Sequence, residues 1–233
     1  MSGRLAPPSA PNGDPLFEGM YGPYTITDVD RREVLGYRLA LTSVAAAELA
    51  LALQWRQWGS GMLWPWLVVM AVGLGLALRW IHIYLRPLHR ALQLFWLAGC
   101  VGMVAMAAWL GPGAMVAEVW SRPLAILAVG PFFAALTGVG FKEFFCFRRP
   151  EAIGVTLLLP VALLGRLTGW LPISTTHGLL MVQAALLLVL CLRKFPMAAA
   201  ADVGDKSVFT HLEQLRRGAD SAAAPTPVTG ATP

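Results

Sequence analysis

The sequence predicts an all-α fold: a polytopic membrane bundle of about six transmembrane helices with both termini cytoplasmic. Three observations lead there. Six apolar segments lie end to end between Leu35 and Leu192. Only 13% of the 233 residues are charged, against 57% hydrophobic, whereas a soluble domain carries about 25% charged residues. The basic residues sit almost wholly in alternate gaps between the apolar segments.

A spanning helix needs about 20 mainly apolar residues. The segments that qualify are Leu35–Leu53, Leu63–Ile81, Ala91–Leu110, Leu124–Phe141, Ala152–Leu171 and the shorter Gly178–Leu192. The domain plan is then a soluble leader over 1–34, partly disordered, a six-helix membrane domain over 35–192, and a cytoplasmic tail over 193–233. The first apolar run starts only at Val34, so the first span is expected to act as its own insertion signal.

Orientation follows from the cations. Fifteen of the 18 Lys and Arg residues fall on one side, among them Arg31, Arg38, Arg79, Arg90, Lys142, Arg149 and Lys194. The other side has Arg56, Arg122 and Arg166. Cytoplasmic loops carry the excess of Lys and Arg, so both termini are placed there. The pI near 9.5 reflects this distribution, and no nucleic-acid partner is expected. Trp55, Trp58, Trp64, Trp66, Trp109, Trp120 and Trp170 gather at the opposite boundary, as indole rings do at headgroup level.

At the ends, Thr27 or Asp28 is placed to cap a helix leading into the first span. Residues to about Gly22 read as disordered. Val208, Leu212 and Leu215 after Ser207 predict a short amphipathic helix, followed by a loose tail from Asp220. Within the spans, Ala45, Ala47, Gly99 and Gly102 offer small faces for helix packing. Gly130-Pro131 and Pro160 predict kinks.

A few polar residues inside the membrane need a reason. Glu48 lies about 13 residues past Leu35, and Arg166 about 14 past Ala152. At ~1.5 Å per residue both stand ~20 Å along spans of the same direction, so Glu48 and Arg166 form a candidate intramembrane pair. Gln93 and Gln183 read as interhelical hydrogen-bonders. The segment after the fourth span, with Lys142, Glu143, Phe144, Phe145, Phe147, Arg148 and Arg149, is a candidate contact. It suits either lipid headgroups or another membrane protein complex. His82 and His89 flank the second inner loop and read as interface histidines; imidazoles also ligate haem, chlorophyll and metals, but Pro87 breaks the helix between the two, so their spacing does not give one face, and His177 is as weak a signal. Cys100, Cys146 and Cys191 form no metal or disulfide pattern. No phosphate-binding loop, zinc-protease or nucleophile-elbow motif occurs in the chain. No cofactor and no catalytic residue is assigned.

Asp28-Val29-Asp30-Arg31-Arg32-Glu33-Val34-Leu35-Gly36-Tyr37-Arg38, together with Gly140-Phe141-Lys142-Glu143-Phe144-Phe145-Cys146-Phe147, resembles a family of uncharacterised integral membrane proteins of cyanobacteria and plastids. The resemblance spans roughly residues 15–195. It implies a plasma or thylakoid membrane and brings no activity with it. Two functions fit the residues: an accessory or assembly factor acting through its cytoplasmic face, or a small-solute or ion carrier using Glu48 and Arg166.

The orientation is checked by reporter fusions after Gly113 and after Pro196. They are expected to report opposite compartments, with Pro196 cytoplasmic. The same compartment for both would remove the six-span topology.

Overall fold

A computed structural model describes residues 14–58 and 62–223. In chain order the elements are β1 (Leu16–Gly19), β2 (Gly22–Thr25), α1 (Asp28–Trp58), α2 (Trp64–Trp80), α3 (Arg86–Leu110) and α4 (Pro112–Ser121). After a 3-10 turn at Pro123–Ala125 come α5 (Ile126–Phe147), α6 (Pro150–Leu167), α7 (Ile173–Leu192), α8 (Ala199–Val203) and α9 (Lys206–Ala223). They form two compact units: Arg32–Met197, and the described parts of Met1–Arg31 with Ala198–Pro233.

In the larger unit five helices are long and apolar enough to cross a membrane, and Trp64–Trp80 is a shorter apolar helix of 17 residues. These match the six expected segments in order. Four helices of the unit share a start signature: Pro65, Pro87, Pro112 and Pro150 stand in the first turns of α2, α3, α4 and α6, where the missing N–H has no helical partner to lose. Successive helices run antiparallel. One end of the unit gathers Tyr37, Lys142 and Lys194 and is called the basic end below. The other gathers Trp55, Trp66 and Trp120 and is called the tryptophan end.

The small faces do pack. A Cβ on Gly99 would lie 2.3 Å from the Phe132 nitrogen, and one on Gly102 would lie 2.0 Å from the Ala128 carbonyl. Backbone-to-backbone approach of α3 and α5 therefore requires glycine at both positions. Leu94, Val101, Val104, Leu157, Val161 and Leu164 point outward and exposed. Such a surface would be a liability in water and suits hydrocarbon.

Two boundaries depart from expectation. α4 occupies a stretch that carried no helix in the sequence reading. Gly111, at φ 84°, ends α3, and Pro112 starts a new helix one residue later. α5 continues six residues past Phe141. It stops only where Arg148 adopts the left-handed conformation, φ 48°, and where Arg149 precedes Pro150, which disfavours a helical backbone. Pro131 and Pro160 stand inside continuous helices.

In the smaller unit, residues 16–25 are a two-stranded antiparallel hairpin pairing Leu16 with Thr25 and Gly19 with Gly22, which corrects the disorder expected up to Gly22. Its turn is held from outside. The Met20 N–H donates to Asp205 Oδ2 at 2.7 Å, the Tyr21 N–H to Ser207 Oγ at 3.0 Å, and the Tyr21 ring stacks on His211 at 3.9 Å. A side chain on Gly19 would collide with Asp205. Asp205 also caps α9 by accepting from the Ser207 N–H at 2.9 Å. The Ser207 hydroxyl, ahead of the Met20 N–H, holds the Asp205 carboxyl below its ordinary value. Thr27 is the cap of α1, in reciprocal exchange with Asp30: Thr27 N–H to Asp30 Oδ2 at 2.7 Å, Asp30 N–H to Thr27 Oγ1 at 3.3 Å. The expected amphipathic helix is α9, which runs to Ala223, past the tail boundary set at Asp220. Residues 1–13 of the leader and 224–233 of the tail lie outside the described residues.

Candidate functional site

The buried polar side chains of the larger unit gather in two places. The first is a cavity of about 90 Å³ toward the tryptophan end. All seven helices of the unit contribute to its wall, which is mostly Leu, Val, Met and Phe. Glu48 on α1, Arg166 on α6 and His177 on α7 are its ionisable members.

Each takes a neutral partner. Glu48, 6% exposed, accepts from Gln183 Nε2 on α7 at 3.3 Å. Arg166 donates through Nη2 to the Trp120 carbonyl at 2.8 Å. His177 Nε2 lies 2.9 Å from the Ala52 carbonyl. A carbonyl only accepts, so His177 carries its hydrogen on Nε2 there. Glu48 and Arg166 line one cavity, but the ion pair that their matched depth allowed is not formed: each hydrogen-bonds a neutral group instead. Arg166 Nε and Gln183 Oε1 are buried with no hydrogen-bond partner among the described residues.

The second place is the basic end, where the predicted contact segment lies. Because α5 runs through it, the segment is helical and its residues divide by face. Glu143 is 0% exposed and Lys142 7%, so neither is open to a partner or a headgroup; on this point the expected contact is corrected. Glu143 Oε1 accepts from the Tyr37 hydroxyl at 2.6 Å and from Lys142 Nζ at 3.3 Å. Its Oε2 accepts from Lys194 Nζ at 2.5 Å. Two lysines meet one carboxylate, and the surplus charge is faced by rings: Lys194 Nζ lies 4.3 Å from the Phe147 centroid and 5.2 Å from that of Tyr37.

A second cluster adjoins in the same unit. Glu151 accepts from Arg193 at 2.7 Å and has Arg149 at 3.7 Å. Arg38 Nη1 donates to the Met197 carbonyl at 2.9 Å. Phe144 is half-buried, Phe145 is 72% exposed, and Arg148 is exposed. Tyr37 and Lys194 were missed as site residues. In the sequence they look like an ordinary boundary aromatic and an ordinary flanking cation, and only packing joins them to Glu143.

His89 Nε2 meets the Leu78 carbonyl at 2.7 Å, and His82 Nε2 lies 3.7 Å from Glu33. Cys191 is buried, Cys100 half-buried and Cys146 exposed, all as free thiols.

A family model described as "Uncharacterized integral membrane protein (DUF2301)" matches residues 76–211. The matched stretch includes Lys142, Glu143, Arg166, Gln183 and Lys194; Tyr37 and Glu48 precede it. No curated protein matches the chain, and neither does any solved structure.

The Glu143 cluster generates a stability prediction. Removing one partner of a buried ion pair strands the others, at about 3–5 kcal/mol. Glu143→Gln is expected to lower stability in mild detergent by about that amount. The double change Glu143→Gln with Lys194→Met should lose less than the two single losses added together. Thermal unfolding of the four proteins checks this, and strict additivity would mean the groups act independently.

Proposed function

Since the chain belongs to this family of integral membrane proteins, we propose that it is a carrier of a small solute, taken up in the cavity between its helices. One observation supports the reading above the rest: Glu48 and Arg166 share the cavity while each hydrogen-bonds a neutral group rather than the other. Intramembrane ionisable residues are costly and mark solute or ion pathways by default. Two that neutralised each other would serve as a clamp. Unpaired with each other, they leave Arg166 Nε without a hydrogen-bond partner among the described residues, as the group a polar guest could meet. The apolar remainder of the wall selects a guest that is mostly hydrocarbon with one polar end, and the volume limits it to a few heavy atoms. The count of basic residues supports both termini on the cytoplasmic side. The resemblance to cyanobacterial and plastid proteins supports a plasma or thylakoid membrane.

The test is a graded series of n-alkanoates and n-alkanols, from two to eight carbons, added to the full chain in mild detergent. Short members are expected to raise the Tm by about 2–4 °C. The rise should vanish in Leu163→Trp, which fills the cavity. Arg166→Met should abolish it for alkanoates while leaving alkanols active. Counterflow of the best member in proteoliposomes then separates carriage from simple binding. If no member stabilises the protein, or the filled variant responds equally, the carrier reading is lost.

The accessory-factor reading retains one observation: Phe145 stands 72% exposed near the end of α5, with Phe141 exposed beside it. Phe141→Ser with Phe145→Ser should release co-purifying proteins without impairing membrane insertion, since every span keeps its length and flanking charges. An unchanged co-purifying set would leave those rings as lipid contacts only.

A further inference from the structure

We infer that the groove between α2 and α3 at the basic end is a binding site for one anionic phospholipid. The groove is an open surface cleft of about 640 Å³. Arg79, in the last turn of α2, and Arg90, near the start of α3, line it with Gln93. Both arginines are exposed, and neither has a hydrogen bond or ion pair among the described residues. This sets them apart from Lys142, Lys194, Arg149 and Arg193, each of which is paired with Glu143 or Glu151. No carboxylate lines the groove.

Below the arginines the wall turns apolar, with Leu94, Trp96 and Leu97. Leu97 lies seven residues along α3 from Arg90, about 10 Å at the helical rise. The groove therefore has a cationic rim and a hydrocarbon floor at the spacing of a phosphate and the first part of its acyl chain. The floor is fixed. The Trp96 ring lies against Gly75, where a Cβ would come within 2.6 Å of it, and its Nε1–H donates to the Ala71 carbonyl at 2.8 Å. Two guanidiniums present donors that match phosphate oxygens, and basic pockets between helices are where anionic headgroups settle. A zwitterionic lipid would fill the floor and leave the rim charge unanswered.

The experiment uses the full chain in mild non-ionic detergent with four additions: phosphatidylglycerol, phosphatidylcholine, glycerol 3-phosphate and inorganic phosphate. Phosphatidylglycerol alone is expected to raise the Tm, and native mass spectrometry should retain one such lipid per chain. Arg79→Gln with Arg90→Gln should weaken that retention roughly tenfold to a hundredfold. Arg56→Gln, which removes an exposed cation from the tryptophan end, should leave it unchanged. Both target side chains are exposed and unpaired, so folding is expected to survive; Arg79→Lys with Arg90→Lys, which keeps the charge, should retain an intermediate response. An equal effect of phosphatidylcholine would reduce the groove to an apolar lipid contact. A response to inorganic phosphate or glycerol 3-phosphate alone would make it a site for free anions. Retention unaltered in the glutamine variant would place the lipid elsewhere. Each of these three results overturns the inference.

Discussion

A carboxylate without solvent, set between two lysines and a tyrosine hydroxyl, imposes register on the membrane unit. Apolar contact between helices in lipid is weakly directional, because the tails they displace are as apolar as the side chains. Glu143 is directional. It ties α5 to Tyr37 on α1 and to Lys194 just past α7, and a slide of one helix by a turn would strand a charge. The constraint is felt far along the bundle. Glu48 lies eleven residues after Tyr37, and Gln183 eleven residues before Lys194. In antiparallel helices those equal steps, about 16 Å each, bring the two side chains to the same level, where they meet. The polar contact deep in the membrane thus inherits its register from the ion cluster at the basic end.

The tryptophan end is fastened differently. Its side chains find main-chain or amide partners: Arg166 the Trp120 carbonyl, His177 the Ala52 carbonyl, Trp66 the Gln54 amide oxygen at 2.7 Å. Neutral acceptors bind less strongly than a carboxylate does, and they leave Arg166 Nε without a partner. The cavity opens at this more weakly tied end. α4 helps to wall it through Met115 and Val116, so the short helix that interrupts the six-span pattern is part of what encloses the space. A protein fixed at one end and held by single hydrogen bonds at the other is suited to admitting a guest without losing its fold.

The architecture was legible because lipid imposes length and polarity so strictly. Six apolar segments, each near the bilayer thickness, leave few alternatives to six helices, and the small faces at Gly99 and Gly102 read directly as backbone contacts. Glu48 and Arg166 were legible as odd residues at matched depth, but depth alone suggested a pair, and the cavity between them depends on how seven helices pack. What stayed hidden depends on side-chain direction. A helix running on to Phe147 turns Glu143 inward and Phe145 outward, whereas a loop ending at Phe141 leaves both free. The choice rests on Arg148 accepting a left-handed backbone, for which a sequence offers no sign. The hairpin was hidden for a related reason. Its strands are four residues long and contain glycine and proline, and the turn is held by Asp205 and Ser207, almost two hundred residues away.

Counting positive charges treats every lysine and arginine alike, and for orientation that is sound, since acidic residues count for little in the rule. The folded chain divides them. Lys142 and Lys194 are spent on Glu143, Arg149 and Arg193 on Glu151, and Arg38 on the Met197 carbonyl. Paired in this way, they have little field left to offer at the membrane surface. Arg79 and Arg90 are exposed and have no hydrogen bond or ion pair among the described residues. One set of cations holds the helices to each other, and the other is left open at the surface. The tally that orients the chain is therefore a sum over two physical roles, and only burial and pairing tell them apart.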